Sequence, residues 1–102
     1  MRLITEPFLR KAAKAYPQAA SWISAFVDIA RAAKWKNLID VRKQYPPADA
    51  VVVGSKRTVF IFNVAGNKYR LIAAIHFNTQ IVFTLQFLTL AEYSKDTWKN
   101  EL

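Results

Sequence analysis

A change of hydrophobic period at Pro46-Pro47 constrains this chain more than any other feature. Before it, apolar residues recur at helical spacing; after it, β-branched and aromatic residues alternate as strands require. Phe8, Leu9, Ala12, Ala13 and Tyr16 define a first amphipathic helix. It is entered through Thr5-Glu6-Pro7, a capping residue ahead of a first-turn proline, and stopped by Pro17. Trp22, Ile23, Phe26, Val27, Ala30 and Ala33 repeat the spacing in a second helix entered near Ser21. Their aromatic rings are core residues, because a stripe of this period is what a helix buries. Residues 35–47 read as a connector with a short helix around Leu38–Lys43, and Leu3-Ile4 as a short apolar strand at the start. Strands are expected near 50–53, 57–64, 69–77 and 80–88, with turns at Gly54-Ser55, Gly66-Asn67 and Asn78-Thr79. A strand, two helices and an antiparallel meander imply an α+β fold with the helices packed on one face of the sheet.

Length and composition narrow the function. A chain of 102 residues suits one domain spanning 1–102, and 53% hydrophobic residues with two glycines argue against disorder. No apolar run approaches the ~20 residues that cross a bilayer, and Met1–Thr5 is too short for a signal-peptide core. The absence of cysteine excludes a disulfide framework, a thiolate nucleophile and a thiolate zinc site. His76 is the sole histidine and cannot build a metal site alone, so no metal or cofactor is expected, and a cytoplasmic address is the default. The net charge of +8 favours a polyanionic partner, with nucleic acid first among them. Residues 1–48 carry nine basic and three acidic side chains, against six and four in 49–102, so the first half supplies most of the field. Arg10, Lys11, Lys14, Arg31 and Lys34 lie off the apolar stripes, either as a solvated face or as a polyanion contact.

The turns set an expected pairing. A two-residue loop at Asn78-Thr79 places Phe77 opposite Gln80, Ile72 opposite Leu85 and Arg70 opposite Phe87. The turn at Gly66-Asn67 places Asn63 opposite Arg70 and Arg57 opposite His76. Arg70, Asn63 and Phe87 then share a face, and the turn 65–68 and the exit at Thr89 belong to the same sheet end. Arg57 and His76 lie six residues along the strands, roughly 20 Å away at ~3.3 Å per residue. Arg70 either pairs with Glu92 or a C-terminal carboxylate, or serves as a phosphate clamp, to which a forked guanidinium is suited.

The stretch Phe62-Asn63-Val64-Ala65-Gly66-Asn67-Lys68-Tyr69-Arg70-Leu71-Ile72 resembles the central motif of HigB-type toxins, members of the RelE-like superfamily. Ala33-Lys34-Trp35-Lys36 through Asp40-Val41 agrees in order and spacing, as does Thr89-Leu90-Ala91-Glu92-Tyr93-Ser94-Lys95 through Trp98-Lys99. The resemblance implies a RelE-like fold and a toxin of a type II toxin-antitoxin pair that cleaves messenger RNA, commonly in the ribosomal A site. It also implies a helix-turn-helix antitoxin partner.

Metal-free RNA cleavage needs activation of the 2′-hydroxyl, stabilisation of the extra charge and protonation of the departing 5′-oxygen. The catalytic candidates are Arg70 for the charge, with Tyr93 and Lys95 for the protons. The RNA-binding candidates are Asn63, Asn67, Lys68, Lys56, Arg57, Thr89 and Lys99. Tyr93 can also stack on a base or simply cover the sheet end, and Trp98 with Lys99 either docks on the sheet or forms a tail. The chain departs from the family pattern at Leu90, where histidine is usual, at Ser94, where aspartate is, and at Leu85, where arginine is frequent. Ile61 and Asn63 stand where RelE-type enzymes carry lysines. Two readings follow: an mRNA interferase, or a degenerate relative that binds RNA or its antitoxin without cleaving. A DNA-reading module ranks behind both, because no recognition helix stands out.

Overall fold

The computed structural model describes all 102 residues. In chain order it comprises β1 (Arg2–Leu3), α1 (Glu6–Ala15), a 3₁₀ turn (Pro17–Ala19), α2 (Ala20–Ala32), α3 (Leu38–Gln44) and β2 (Asp49–Val52). There follow β3 (Thr58–Val64), β4 (Tyr69–His76), β5 (Ile81–Thr89), α4 (Leu90–Ser94) and α5 (Trp98–Glu101). The strands form one sheet in the order β1-β5-β4-β3-β2, antiparallel except for the parallel β1-β5 pair. The α+β architecture is thus the expected one, with five strands.

The period of the sequence explains each layer. Leu9 and Ala12 of α1 and Ile23, Phe26 and Ala30 of α2 are buried against Phe60, Phe62, Val64, Leu71 and Ala73 of the sheet. At their centre, Tyr45 packs its ring against Phe62 at 5.3 Å, Trp22 at 5.6 Å and Phe26 at 5.7 Å. Burial pushes the Tyr45 phenol up from its ordinary 10 to about 12. An unfolded chain would release that proton near pH 10 while the fold retains it, so stability should fall as pH rises from about 10 to about 12 and be unaffected by this group below that window. Denaturant midpoints measured across that range, with and without Tyr45→Phe, check this: the fall should be shallower in the variant.

Thr5 precedes α1 as expected, yet its hydroxyl makes no cap bond. It accepts from the Thr84 backbone N–H at 2.6 Å and meets the Thr84 hydroxyl, tying the entrance of α1 to β5. By contrast Asn37 caps α3 through the Asp40 N–H at 3.1 Å, and Pro46 and Pro47 then turn the chain into β2.

The β3-β4 ladder pairs Asn63 with Arg70, as the turn chemistry predicts. Arg57 is a correction: it lies outside β3, in a turn where its carbonyl accepts the Val53 N–H at 3.0 Å, so it does not pair with His76. The β4-β5 ladder holds the expected register from His76 and Ile81 to Ala73 and Thr84, although the connecting turn takes four residues, Phe77–Gln80. Then the register slips, and Ile72 pairs with Gln86 and Arg70 with Leu88. Leu85 is the extra residue of a β-bulge. Every later side chain of β5 therefore changes face: Phe87 joins the helix side, and Leu88, rather than Phe87, lies opposite Arg70.

The opposite face carries a smaller core of Val53, Val59, Ile61, Ile72 and Trp98. Trp98, 2% exposed, brings α5 back onto the sheet, so helices do not cover one face alone. Gly54 lets α5 approach: a Cβ there would stand 3.1 Å from the Lys99 carbonyl, which accepts the Gly54 N–H at 2.9 Å.

Candidate RNA interface

One end of the sheet gathers Asn63, Asn67, Lys68 and Arg70. The turn joining β3 to β4 has three consecutive left-handed residues, Ala65 (φ 52°), Gly66 (φ 64°) and Asn67 (φ 73°). That curl brings the Asn67 carbonyl back over β4, where it accepts from Nη1 of Arg70 at 3.1 Å. The same nitrogen donates to the Tyr69 carbonyl at 3.0 Å. The guanidinium carbon lies 5.4 Å from the centre of the Tyr93 ring, a cation-π contact.

Arg70 has no carboxylate partner. Glu92 is committed elsewhere: its Oε1 accepts the Thr89 N–H at 2.9 Å while the Thr89 hydroxyl accepts the Glu92 N–H at 3.2 Å. This reciprocal capping box starts α4. None of the five ion pairs involves Arg70, Lys68, Lys95, Lys56 or Arg57. The pairing of Arg70 with Glu92 that its half-buried place in the strand suggests is thus not made. One guanidinium nitrogen is anchored to backbone, and Nε and Nη2 make no protein hydrogen bond.

Tyr93 is held from behind. Its ring stacks on Trp98 at 5.3 Å and 18°, and the Trp98 indole N–H donates to the Tyr93 carbonyl at 3.1 Å. Lys95 follows at the end of α4 and lines a groove of about 250 Å³ with Gln86, Leu88, Glu92 and Trp98. Leu88 of that groove faces Arg70 across the ladder. The Lys68 carbonyl accepts the Leu90 N–H at 3.0 Å, fixing α4 to the turn, while its ammonium donates to Gln18 at 3.3 Å.

Asn63, Asn67, Lys68, Arg70, Thr89 and Tyr93 therefore converge, with Lys95 on the adjoining groove. Lys56 and Arg57 do not join them; they occupy the turn that precedes β3, at the far end of the strand from Asn63. Lys99 lies with that far end through its bond to Gly54, and its ammonium sits 3.5 Å from Asp96 and 5.7 Å from the Trp98 ring centre. His76 is exposed against Phe83, six residues along β4 from Arg70. Sequence reasoning left the role of Trp98 open. It overlooked the capping box, although Thr89-x-x-Glu92 is the usual signature.

No His, Cys, Asp or Glu side chains gather in threes to hold a metal ion. No helix is long and apolar enough to cross a membrane. Fold and site together define a small basic α+β protein with an unpaired guanidinium, aromatic rings and lysines at one strand end. The chain belongs to the HigB toxin family: residues 19–96 match the family model described as the RelE-like toxic component of a toxin-antitoxin system. It is similar to the mRNA interferase toxin HigB of Escherichia coli K12 and the mRNA interferase HigB of Shigella flexneri. It is 29% identical to each over 93 residues, covering 91% of this chain and 88% of the relative.

Proposed function

We propose that this chain is the toxin of a toxin-antitoxin pair and acts as an mRNA interferase, an endoribonuclease that stops translation by cutting messages on the ribosome. The observation that carries the reading is the open guanidinium of Arg70, held by two carbonyls and Tyr93 and free of any carboxylate, inside a chain of this family. The reaction needs no metal in this reading. The 2′-oxygen loses its proton and bonds to phosphorus, the bond from phosphorus to the 5′-oxygen breaks, and the 5′-oxygen takes up a proton. Arg70 neutralises the charge that builds on the phosphorane oxygens. In this reading Tyr93 and Lys95 move the two protons. Asn63, Asn67 and Lys68 line the approach, and the Thr89 hydroxyl serves by capping α4. Lys56, Arg57 and Lys99 belong to a second basic patch along the same sheet, which an RNA strand or the ribosome would reach.

The partner in this reading is a helix-turn-helix antitoxin, encoded in a neighbouring reading frame, and the setting is the cytoplasm. Expressing the chain alone should arrest growth, and expressing that neighbour with it should restore growth. Unimpaired growth with the chain present as folded protein would remove the toxin reading.

A second reading, binding without cleavage, draws on three positions. Leu85 occupies the bulge, Leu90 is 43% exposed beside Lys68, and the Ser94 hydroxyl donates to the Leu90 carbonyl at 2.8 Å. None supplies a group that titrates near neutrality.

A further inference from the structure

On the helix side of the same sheet end lies an open slot of about 280 Å³ between α1 and β5. Its lining is Phe8, Lys11, Ala12, Ala15, Tyr16 and Phe87. All but Phe87 lie outside the segment that matches the family model. The slot exists for two reasons. Ala12 and Ala15, one turn of α1 apart, leave a dent in the helix surface, and the bulge at Leu85 turns Phe87 onto this face to form the opposite wall. Tyr16, Phe87 and Tyr69 make a half-exposed aromatic floor, with ring centres 5.0 Å apart for Tyr16 and Tyr69, 5.6 Å for Tyr16 and Phe87, and 5.4 Å for Tyr69 and Phe87.

The rim is cationic. Lys11 is the one charged residue of the lining, Lys14 follows it on the exposed side of α1, and Lys68 is joined to Gln18 just beyond α1. None of these three lysines has an ion-pair partner. The slot and the Arg70 site lie back to back on the two faces of the same sheet end. Tyr69 and Arg70 are adjacent on β4 and point to opposite faces, and Phe87 and Leu88 do the same on β5. β1 pairs with β5 only at Ile81 and Val82, so no strand covers the edge of β5 beside Phe87 and Leu88.

We propose that this slot receives an unstacked nucleobase of the single-stranded RNA whose backbone Arg70 holds, the strand passing round the uncovered edge of β5. The base stacks on Tyr16 and Phe87, and Lys11, Lys14 and Lys68 neutralise the flanking phosphates. Aromatic faces for a base and unpaired cations for its phosphates are the two things such a ligand needs. A docking peptide would want a longer apolar row than this one dent. The proposal rests on the RNA-binding reading above, and its test is separable from cleavage.

The probes are a 2′-O-methylated oligouridine, which cannot be cut by 2′-oxygen attack, and an abasic strand of the same length. Binding of each is followed by fluorescence anisotropy across a salt series. Ala15→Leu, an exposed helical position that fills the slot, should weaken oligouridine binding about tenfold and leave abasic binding unchanged. Lys11→Ala should flatten the slope of log K against log salt by about 0.7, one phosphate contact on a single strand. Three results would overturn the slot: no binding by the wild type, equal binding of both strands, or unchanged affinity in both variants. Loss of antitoxin affinity in Ala15→Leu with RNA affinity intact would instead make it a protein-docking surface. Message cutting that persists while the slot fails leaves the toxin reading standing, and slot binding without cutting removes only the enzyme.

Discussion

Replacing Arg70 with alanine should lower the rate of message cleavage by at least about 100-fold, the usual consequence of removing one preorganised donor from developing charge. It should do so with little change in melting temperature. The guanidinium is half-buried, makes no ion pair and bonds only to the carbonyls of Asn67 and Tyr69, which border an exposed turn that water reaches. Arg70→Lys separates charge from geometry. Lysine supplies a point charge without the fork, so it should recover only a small part of the lost rate. Single-turnover cleavage on programmed ribosomes, alongside thermal melts of each variant, reads both quantities. A variant that melts as the wild type and cuts as fast would show that Arg70 is not the clamp.

The second large effect concerns Trp98, which lies outside the strands yet in the core of their second face. Trp98→Ala empties a site packed against Val53, Val59, Ile61 and Ile72, and should cost about 3–5 kcal/mol. Against the 5–15 kcal/mol typical of a domain, that leaves a marginal protein, and the melting temperature should drop by at least about 10 °C. The same change removes the ring on which Tyr93 stacks and the donor to its carbonyl. Trp98→Phe keeps a ring and loses the N–H, so it should restore most of the stability and test the hydrogen bond alone. If Trp98→Phe is stable and cleaves normally, stacking is what positions Tyr93; if it is stable but slow, the hydrogen bond matters for the site.

Most of the fold is readable because local chemistry and tertiary need coincide. Phe8 to Tyr16 and Trp22 to Ala33 have only one spacing that buries them, and the turn around Gly66-Asn67 allows only one register, so the meeting of Asn63 with Arg70 could be foreseen. The bulge could not. From Ile81 to Leu88 nearly every residue is apolar or bulky, because both faces of the sheet are covered, and such a run gives no alternation from which to detect a one-residue slip. That slip decided which residue faces Arg70 and created the slot on the helix side. Thr5 shows the opposite conflict: an apparent cap whose hydroxyl was claimed by Thr84, 79 residues away.

The site was half readable for a related reason. Arg70, Lys68 and Asn67 are near neighbours in sequence, so a single turn places them. The state of Arg70 depends on Glu92, whose commitment to Thr89 is a local pattern that could have been recognised. The support of Tyr93 depends on the docking of seven terminal residues by one tryptophan, and no periodicity in so short a segment announces that.

The most direct test of the central claim is to map the 5′ ends of cellular messages after brief induction of the chain, with Arg70→Ala induced to the same level. The account predicts discrete new ends within translated regions for the wild type and none for the variant. Intact messages under wild-type induction, with the antitoxin still bound, would contradict it and leave a toxin relative that binds without cutting.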